Sequence, residues 1–546
     1  MKFWTTSMAA SMFAASLLIP LNHAGAESTK EYYPKTMDIS KIAGYSTGAS
    51  DEDGGVAEII KYNKDNQKFY LVNGKTQTLD IVSLKKLNGS KGQSLEKEKS
   101  VDIAKAVNSA SFQYGDLTSV DVNTAQKVVV AAVQEKDYSK PGKIVVMDYS
   151  GKVLKTFNAG VQPDMIKMTE NGKYILTADE GEPRMGLKNG VDPEGSVTIV
   201  KFKSGKTEHV KFDKEKAIDS DVVIRNKDGG ALKDLEPEYI ALSEDGKKAY
   251  VTLQENNAVA EINVKSAKLK SVKSLGFKDH SLAENGLDAA KDGKIGIKPM
   301  PILGSYMPDS ISEFEVNGTS YLLTANEGDA TEWEEFENVA DFKDVKNDIK
   351  LDSSLFKGMS KEEAEKSFEE MKKNPAYDKL EVLTDRGNDA IYTLGGRSFS
   401  IWKADTMELV YDSGSDFENI TAARYPNYFN SSNDDDAMDK RSTKKGPEPE
   451  GTVVGKAGGK QYAFIGLERI GGIMAYDISN PEKPVFANYI NTRSFSGKIA
   501  GDVAPEGLDF VSGENSPTKR PLLLSGNEVS GTAAVDQLAI PGYLKK

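Results

Sequence analysis

The chain has 546 residues, a net charge of −13 and no cysteine. The acidic surplus argues against nucleic acid as a partner, because that binding rests on Lys and Arg neutralising phosphates. The missing cysteine excludes disulfides, thiolate metal sites and a lipidated cysteine.

Residues 1–26 read as a secretory signal. Lys2 supplies the basic start, Met8 to Leu21 is mostly small or apolar, and Ala24-Gly25-Ala26 fits a cleavage site, so Glu27 would begin the mature chain. No later run approaches the ~18 apolar residues of a membrane span, and Pro541 to Lys546 carries no anchor signal. The expected location is therefore secreted or extracellular, and residues 27–546 are expected to form one domain.

Two phrases then recur. The first is an apolar run that ends in glutamate: Val128 to Glu135, Tyr174 to Glu180, Ala249 to Glu255, Ser320 to Glu327, Tyr462 to Glu468 and Leu522 to Glu528. Such runs suit buried strands that end at a solvent-facing rim. The second phrase comes roughly 16 to 22 residues earlier, at Pro163-Asp164, Pro237-Glu238, Pro308-Asp309, Pro449-Glu450 and Pro505-Glu506. Ala57-Glu58 and Thr118-Ser119 are degenerate copies, which makes seven units. Repeats of short strands at this spacing predict a propeller or a solenoid.

The units follow in order. Unit one spans about 54–90 and unit two about 113–158; unit three begins at Pro163 and unit four at Pro237. Unit five begins at Pro308 and is interrupted by a charged, helix-prone insertion, about 328–390. There Ser360 and Glu363 form a capping-box pattern and Pro375 stops the helix. The sheet is expected to resume over Ile391 to Lys403. An acidic-to-basic loop follows over about 425–447, then unit six from Pro449 and unit seven from Pro505. Unit seven has no room for a fourth strand. An open edge would leave unpaired backbone groups, so Met37 to Tyr45 is expected to pair beside Thr532 to Ile540. The fold class is all-β: a seven-bladed β-propeller with a helical insertion in blade five.

Several longer stretches resemble a known family. They include Ala178-Asp179-Glu180-Gly181-Glu182-Pro183-Arg184, Ala325-Asn326-Glu327-Gly328-Asp329, Gly446-Pro447-Glu448-Pro449-Glu450-Gly451, Gly466-Leu467-Glu468-Arg469 and Gly526-Asn527-Glu528-Val529-Ser530-Gly531-Thr532. Together these are similar to the choice-of-anchor I family, related to mesenchyme-specific cell-surface glycoproteins. The resemblance covers nearly all of residues 45–540. It implies a propeller of the YVTN and WD-repeat kind, and bacterial members of the family are often labelled alkaline phosphatases.

In a propeller the Pro-acid phrases start the innermost strands and the glutamate phrases end their neighbours. Antiparallel pairing then brings both sets of acids to one mouth. Crowded carboxylates resist ionising together, and oxygen-only ligands select hard cations, with Ca²⁺ favoured. The expected metal set is Glu180, Glu327, Glu450, Glu468, Glu506 and Glu528, with Arg184 and Arg469 balancing charge or gripping an anionic ligand. The plainer alternative is that these acids only cap loops and pair with bases. Asn433 to Asp439 is a second, weaker Ca²⁺ candidate, a solvated acidic loop being the plainer reading. Outside the signal the only histidines are His209 and His280, expected at the surface between strands, so Ser-His-Asp hydrolysis is excluded. Two functions remain. One is a secreted, cation-binding propeller acting by binding at the cell envelope or an extracellular surface. The other is a metal-dependent phosphoesterase, phosphatase-like or phytase-like, with Arg184, Arg386, Arg397 or Arg469 holding phosphate.

Overall fold

A computed structural model describes residues 33–540. The expected signal and the last six residues lie outside the described residues. The apolar runs form strands, among them Val128–Glu135, Tyr174–Asp179, Lys248–Leu253, Thr319–Asn326, Lys460–Leu467 and Leu522–Asn527. Nearly all of their residues are buried because both faces of each sheet are covered by a neighbouring sheet. This removes the polar alternation of a half-exposed strand.

Among the described residues there are six four-stranded sheets and one five-stranded sheet, with three smaller ones. Within each large sheet, strands consecutive in the chain are mostly neighbours and antiparallel; Pro163–Met168, Tyr174–Asp179, Ser196–Lys201 and Lys206–Lys211 are an example. The first strands of the large sheets touch in a ring. Ile60–Asn63 meets Tyr114–Asn123, followed by Pro163–Met168, Ile240–Leu242, Ile311–Val316, Pro449–Ala457 and Pro505–Val511, which returns to Ile60–Asn63. The fold is all-β and propeller-like. The core is divided accordingly: one cluster lies between the third and fourth sheets around Leu176, Ile199, Val251 and Ile262, and another between the first two around Val72, Leu79, Val129 and Val145.

The two ends of the chain share a sheet. Asp38–Ser46 pairs antiparallel with Thr532–Ala539, from Asp38 opposite Ala539 to Ser46 opposite Thr532. Gln93–Ser94 then covers its outer edge in parallel. Unit one therefore runs further than about 90: its fourth strand is Lys97–Asp102, after the chain has visited the last sheet.

Unit five also differs from expectation. After Thr319–Asn326 the chain leaves its sheet and returns at Ser398–Lys403. Ile391–Leu394 belongs instead to a three-stranded sheet with Phe277–Asp279 and Ile302–Ser305. Left-handed turns at Gly395 (φ 73°) and Arg397 (φ 52°) separate the two strands. The helix Lys361–Lys373 has the Ser360/Glu363 capping box and buries Ala364, Phe368 and Met371. Residues 425–447 are mostly irregular, in line with the expected loop, but much of the segment is packed in rather than solvated. They follow the helix Asp416–Arg424, and Phe429, Asn430, Ser431, Asp439, Ser442 and Thr443 are buried. Among the described residues no helix is long and apolar enough to cross a membrane.

Candidate functional site: a carboxylate-lined mouth

Four residues that directly precede a repeat proline have left-handed backbone: Gln162 (φ 54°), Met307 (φ 45°), Glu448 (φ 52°) and Ala504 (φ 61°). Residues before proline normally stay extended, and a non-glycine residue in this region costs about 1–3 kcal/mol. A latch holds each turn. The backbone N–H groups of Glu180, Gly328, Glu468 and Glu528 donate to the carbonyls of Gln162, Met307, Glu448 and Ala504 at 3.0, 3.0, 2.8 and 2.9 Å. The glutamate phrase and the proline phrase of one unit are thus tied together at the rim. Register shifts follow at Pro163/Met165, Pro449/Thr452 and Pro505/Leu508. Bulges of this kind re-aim a side chain, and those carried here are Asp164, Glu450 and Glu506.

Neighbouring inner strands approach closely at the same level. A Cβ on Gly451 would sit 1.8 Å from the Glu506 carbonyl oxygen, and one on Gly507 2.4 Å from that of Glu58. Elsewhere in the ring small hydroxyls do this job: Thr118 donates to Pro163 O and Thr252 to Asp309 O, both at 2.8 Å. The inner strands are thereby held close together, and the side chains at this level that line the cavity are mostly acidic. The residue before Glu180 and before Glu327 points the other way, as strand alternation requires, whereas Gln254 before Glu255 lines the cavity and donates to Glu327 at 3.0 Å. Asp179 accepts from Thr177, Ser196 and Thr198 inside its sheet, and Asn326 donates to Ser398 and Ser400 in the same manner.

The result is a cavity of about 600 Å³ lined almost wholly by acids. Of the expected metal set, Glu180, Glu327, Glu450, Glu468 and Glu506 line it. Glu528 lies against it, with carboxylate oxygens of Glu450, Glu468 and Glu528 within 4.8 Å of one another. Asp164, Glu238 and Asp309 join from the inner strands, and Glu236, Glu255 and Asp329 from the rim.

The cavity has two electrostatic halves. In one, Glu327, Glu448 and Glu468 cluster within 4.8 Å but are matched by bases. Lys445 Nζ lies 2.6 Å from Glu327 and 3.2 Å from Glu448. Arg469 reaches Glu448 and Glu468, both at 2.9 Å, and Arg441 reaches Glu448 at 2.5 Å. Burial alone would raise the Glu448 carboxyl, yet Lys445, Arg441 and Arg469 together hold it far below the usual range. In the other half no such matching occurs. Glu236 Oε1, Glu238 Oε2, Glu255 Oε2, Glu450 Oε2 and Glu506 Oε2 are buried with no hydrogen-bond partner among the described residues. Burial, and then the neighbouring carboxylates, push Glu238, Asp309, Glu450 and Glu506 well above the ordinary value. Burial lifts Asp164 to about 6 and Glu255 to about 7.

Further along the inner strands two partly buried lysines stand beside two aspartates, Asp121 and Asp509. Lys61 lies 3.5 Å from Asp509, and burial together with the charge of Lys61 lowers Lys167 to about 8. A second cavity, of about 410 Å³, opens at the far ends of those strands around Asp121, Met168, Leu242 and Phe510. The acidic mouth is therefore a cup with a mixed-charge layer of Lys61, Lys167, Asp121 and Asp509 below it.

Other expected residues stand elsewhere or are already committed. Glu135 accepts the Gln113 N–H away from the cup. Arg184 lies at the rim and is engaged by Glu180, Glu182 and Gln134. Arg397 is buried against Glu418 at 2.8 Å, and Arg386 donates to the Glu255 carbonyl at 2.8 Å. His280 is not a surface residue: it is 1% exposed, with Nδ1 2.6 Å from the Asn285 carbonyl, while His209 lies within the strand Lys206–Lys211. Three of the four aspartates of 433–439 are engaged within the protein, Asp435 by Lys440 among them, while Asp434 is exposed. Asp436 pairs with Arg493 at 2.8 Å, and Asp439 accepts the N–H groups of Asp292 and Gly293. Sequence reasoning missed Lys445, Glu448 and Glu236 as site residues. A signal existed, since Glu236-Pro237-Glu238 and Glu448-Pro449-Glu450 repeat one tripeptide.

Comparison with known proteins agrees with the motif pattern. Residues 58–481 match the choice-of-anchor I domain. Gigasin-3a of Magallana gigas is 34% identical over 178 residues, covering 29% of this chain and 63% of that protein. The mesenchyme-specific cell surface glycoprotein of Strongylocentrotus purpuratus is 27% identical over 278 residues, covering 45% of this chain and 35% of that one. The chain thus spans less than two thirds of the length of either relative. Among solved structures, a chain of Kuenenia stuttgartiensis hydrazine synthase aligns with a TM-score of 0.44 and 10% identity, over 90% of this chain and 99% of that chain. With its rim motifs in place and the family pattern running through most of its length, this chain belongs to the choice-of-anchor I family.

Proposed function

We propose that the chain is a seven-bladed propeller, with a helical insertion in its fifth blade, that works by binding at an extracellular or cell surface and holds a divalent cation at its acidic mouth. Ca²⁺ is favoured because it takes six to eight oxygen ligands in flexible geometry, whereas Mg²⁺ demands a tight octahedron. The observation that carries this reading is the set of five buried carboxylate oxygens without partners. Leaving such groups unmatched is costly, and a cation satisfies several at once. The weight falls on Glu450, Glu468, Glu506 and Glu528; Glu180 and Glu327 flank them, the latter already held by Lys445. A surface location is supported by the family and by the name of the sea-urchin relative. The phosphoesterase alternative is weakened because Arg184 and Arg469, the two arginines at the mouth, are both engaged by carboxylates. Isothermal titration of metal-stripped protein tests the proposal. Saturable Ca²⁺ binding that exceeds Mg²⁺ binding is expected. No heat with either ion, together with no divalent metal by elemental analysis of the untreated protein, would sink it.

A further inference from the structure

Among the described residues eight large apolar side chains are exposed, and four of them gather at one place. Leu154, Phe277, Leu409 and Val485 stand singly on separate strands. Met185, Leu187, Val191 and Phe336 are 56%, 39%, 55% and 37% exposed, and they sit on two rim loops that touch. Glu335 accepts the Lys188 N–H at 2.8 Å, and a Cβ on Gly186 would strike the Glu335 carboxylate. Both loops also reach the acidic cup, through Glu182 and Glu332. Their backbones are pinned: Tyr138 Oη accepts the Val191 N–H at 2.9 Å and donates to the Val191 carbonyl at 3.0 Å. The apolar tips are therefore held outward beside the carboxylates.

We infer that this rim docks on an anionic phospholipid surface. This rests on the Ca²⁺ reading above. Cations held by the mouth carboxylates share their remaining coordination sites with headgroup phosphates, as Ca²⁺ readily takes mixed oxygen ligands. The four apolar side chains enter the headgroup–acyl boundary, where buried apolar area and attraction to anionic lipid add. Exposed Lys188 is outnumbered by the exposed Glu332, Glu334, Glu335 and Glu337 of the touching hairpin, so the attraction to anionic lipid comes from the bound Ca²⁺ and docking without it is disfavoured. A protein partner fits less well, because four side chains are little against the ~1,600 Å² of an ordinary interface. A second copy would also bring two acidic mouths together.

Vesicle flotation of the purified chain tests this, using phosphatidylcholine with or without phosphatidylglycerol, in Ca²⁺ or in EDTA. Flotation is expected only with phosphatidylglycerol and Ca²⁺. The loop variant Met185→Ser/Leu187→Ser/Val191→Ser is expected to float at least about fivefold less while binding Ca²⁺ calorimetrically as before. Ca²⁺ binding without flotation, or a variant that floats undiminished, overturns the docking alone. No calorimetric Ca²⁺ binding overturns the underlying reading as well. A Ca²⁺-dependent dimer abolished by the same substitutions would assign the patch to a second copy instead.

Discussion

Replacing Lys445 by Met tests the electrostatics of the cup directly. The side chain keeps its length but loses the charge that Glu327, Asp329 and Glu448 share at 2.6, 3.7 and 3.2 Å. Lys445 is 9% exposed at its side chain. Breaking a buried pair costs about 3–5 kcal/mol, and since Arg441 and Arg469 still face Glu448 the lower end applies, about 3 kcal/mol. With an unfolding entropy near 2.1 cal/mol/K per residue, a chain of 546 residues converts this to a fall of about 3 °C in EDTA. The freed cluster should then accept a cation. At a Ca²⁺ concentration of 100 times Kd, binding contributes about 2.7 kcal/mol and restores most of the loss, so the Ca²⁺-induced rise in Tm should be larger in the variant than in the parent. Scanning calorimetry of both proteins, with and without Ca²⁺, reads this out. A Lys445→Met protein that melts with its parent in EDTA would refute the claim that this lysine neutralises the cluster.

Three further outcomes follow from the same geometry. Glu450→Gln/Glu506→Gln removes two of the unmatched carboxylates, so melting in EDTA should hold or rise while Ca²⁺ stabilises less than in the parent; an unchanged Ca²⁺ shift would exclude both as ligands. Asp164 and Glu255, raised to about 6 and 7, keep protons in the folded chain that the unfolded chain gives up near pH 4; their contribution is complete below that value and lost as pH rises through 6 to 7, so in EDTA Tm should fall from pH 5 to pH 8, and a flat profile would contradict the raised values. Deleting the chain through Ser46 removes the strand beside Thr532–Ala539, and with it buried Tyr33, Met37, Ile42 and Tyr45; at about 1.5–3 kcal/mol for each large side chain, a drop of about 5 °C or more is expected, against which equal melting would count.

Much of this was readable because propeller strands are buried on both faces. Val128 to Val133 and Leu522 to Leu524 are continuous apolar runs for that reason; the second ends where Glu528 meets the cup, whereas Glu135 at the end of the first lies away from it. The pairing of the chain ends was readable from a missing strand. Lys445 was not, because it comes from an irregular segment whose path depends on the helix Asp416–Arg424 and on tertiary packing. Glu448 was hidden by its backbone: a left-handed residue before proline contradicts local preference and is held there by the Glu468 N–H. Ile391–Leu394 read as one strand with Ser398–Lys403 although Gly395-Gly396 between them is a turn signal; the left-handed backbone at Gly395 and Arg397 separates the two. His280 looked like a surface residue amid charges, but it faces Gly304, where a Cβ would come within 2.6 Å of its Nε2.

The pairing of Asp38–Ser46 with Thr532–Ala539 also sets a schedule for assembly. The earlier sheets draw on nearly contiguous stretches and can form as soon as their residues are available. The last one cannot, because its outer strand is made first and its partner nearly five hundred residues later. Contacts of such separation are slow to form. Until they do, the first and last sheets cannot press against each other, and the acids of Glu58 and Glu506 remain apart. The cup is thus completed in the closing step of folding, and a chain stalled before its final strands would present acidic arcs without a closed mouth.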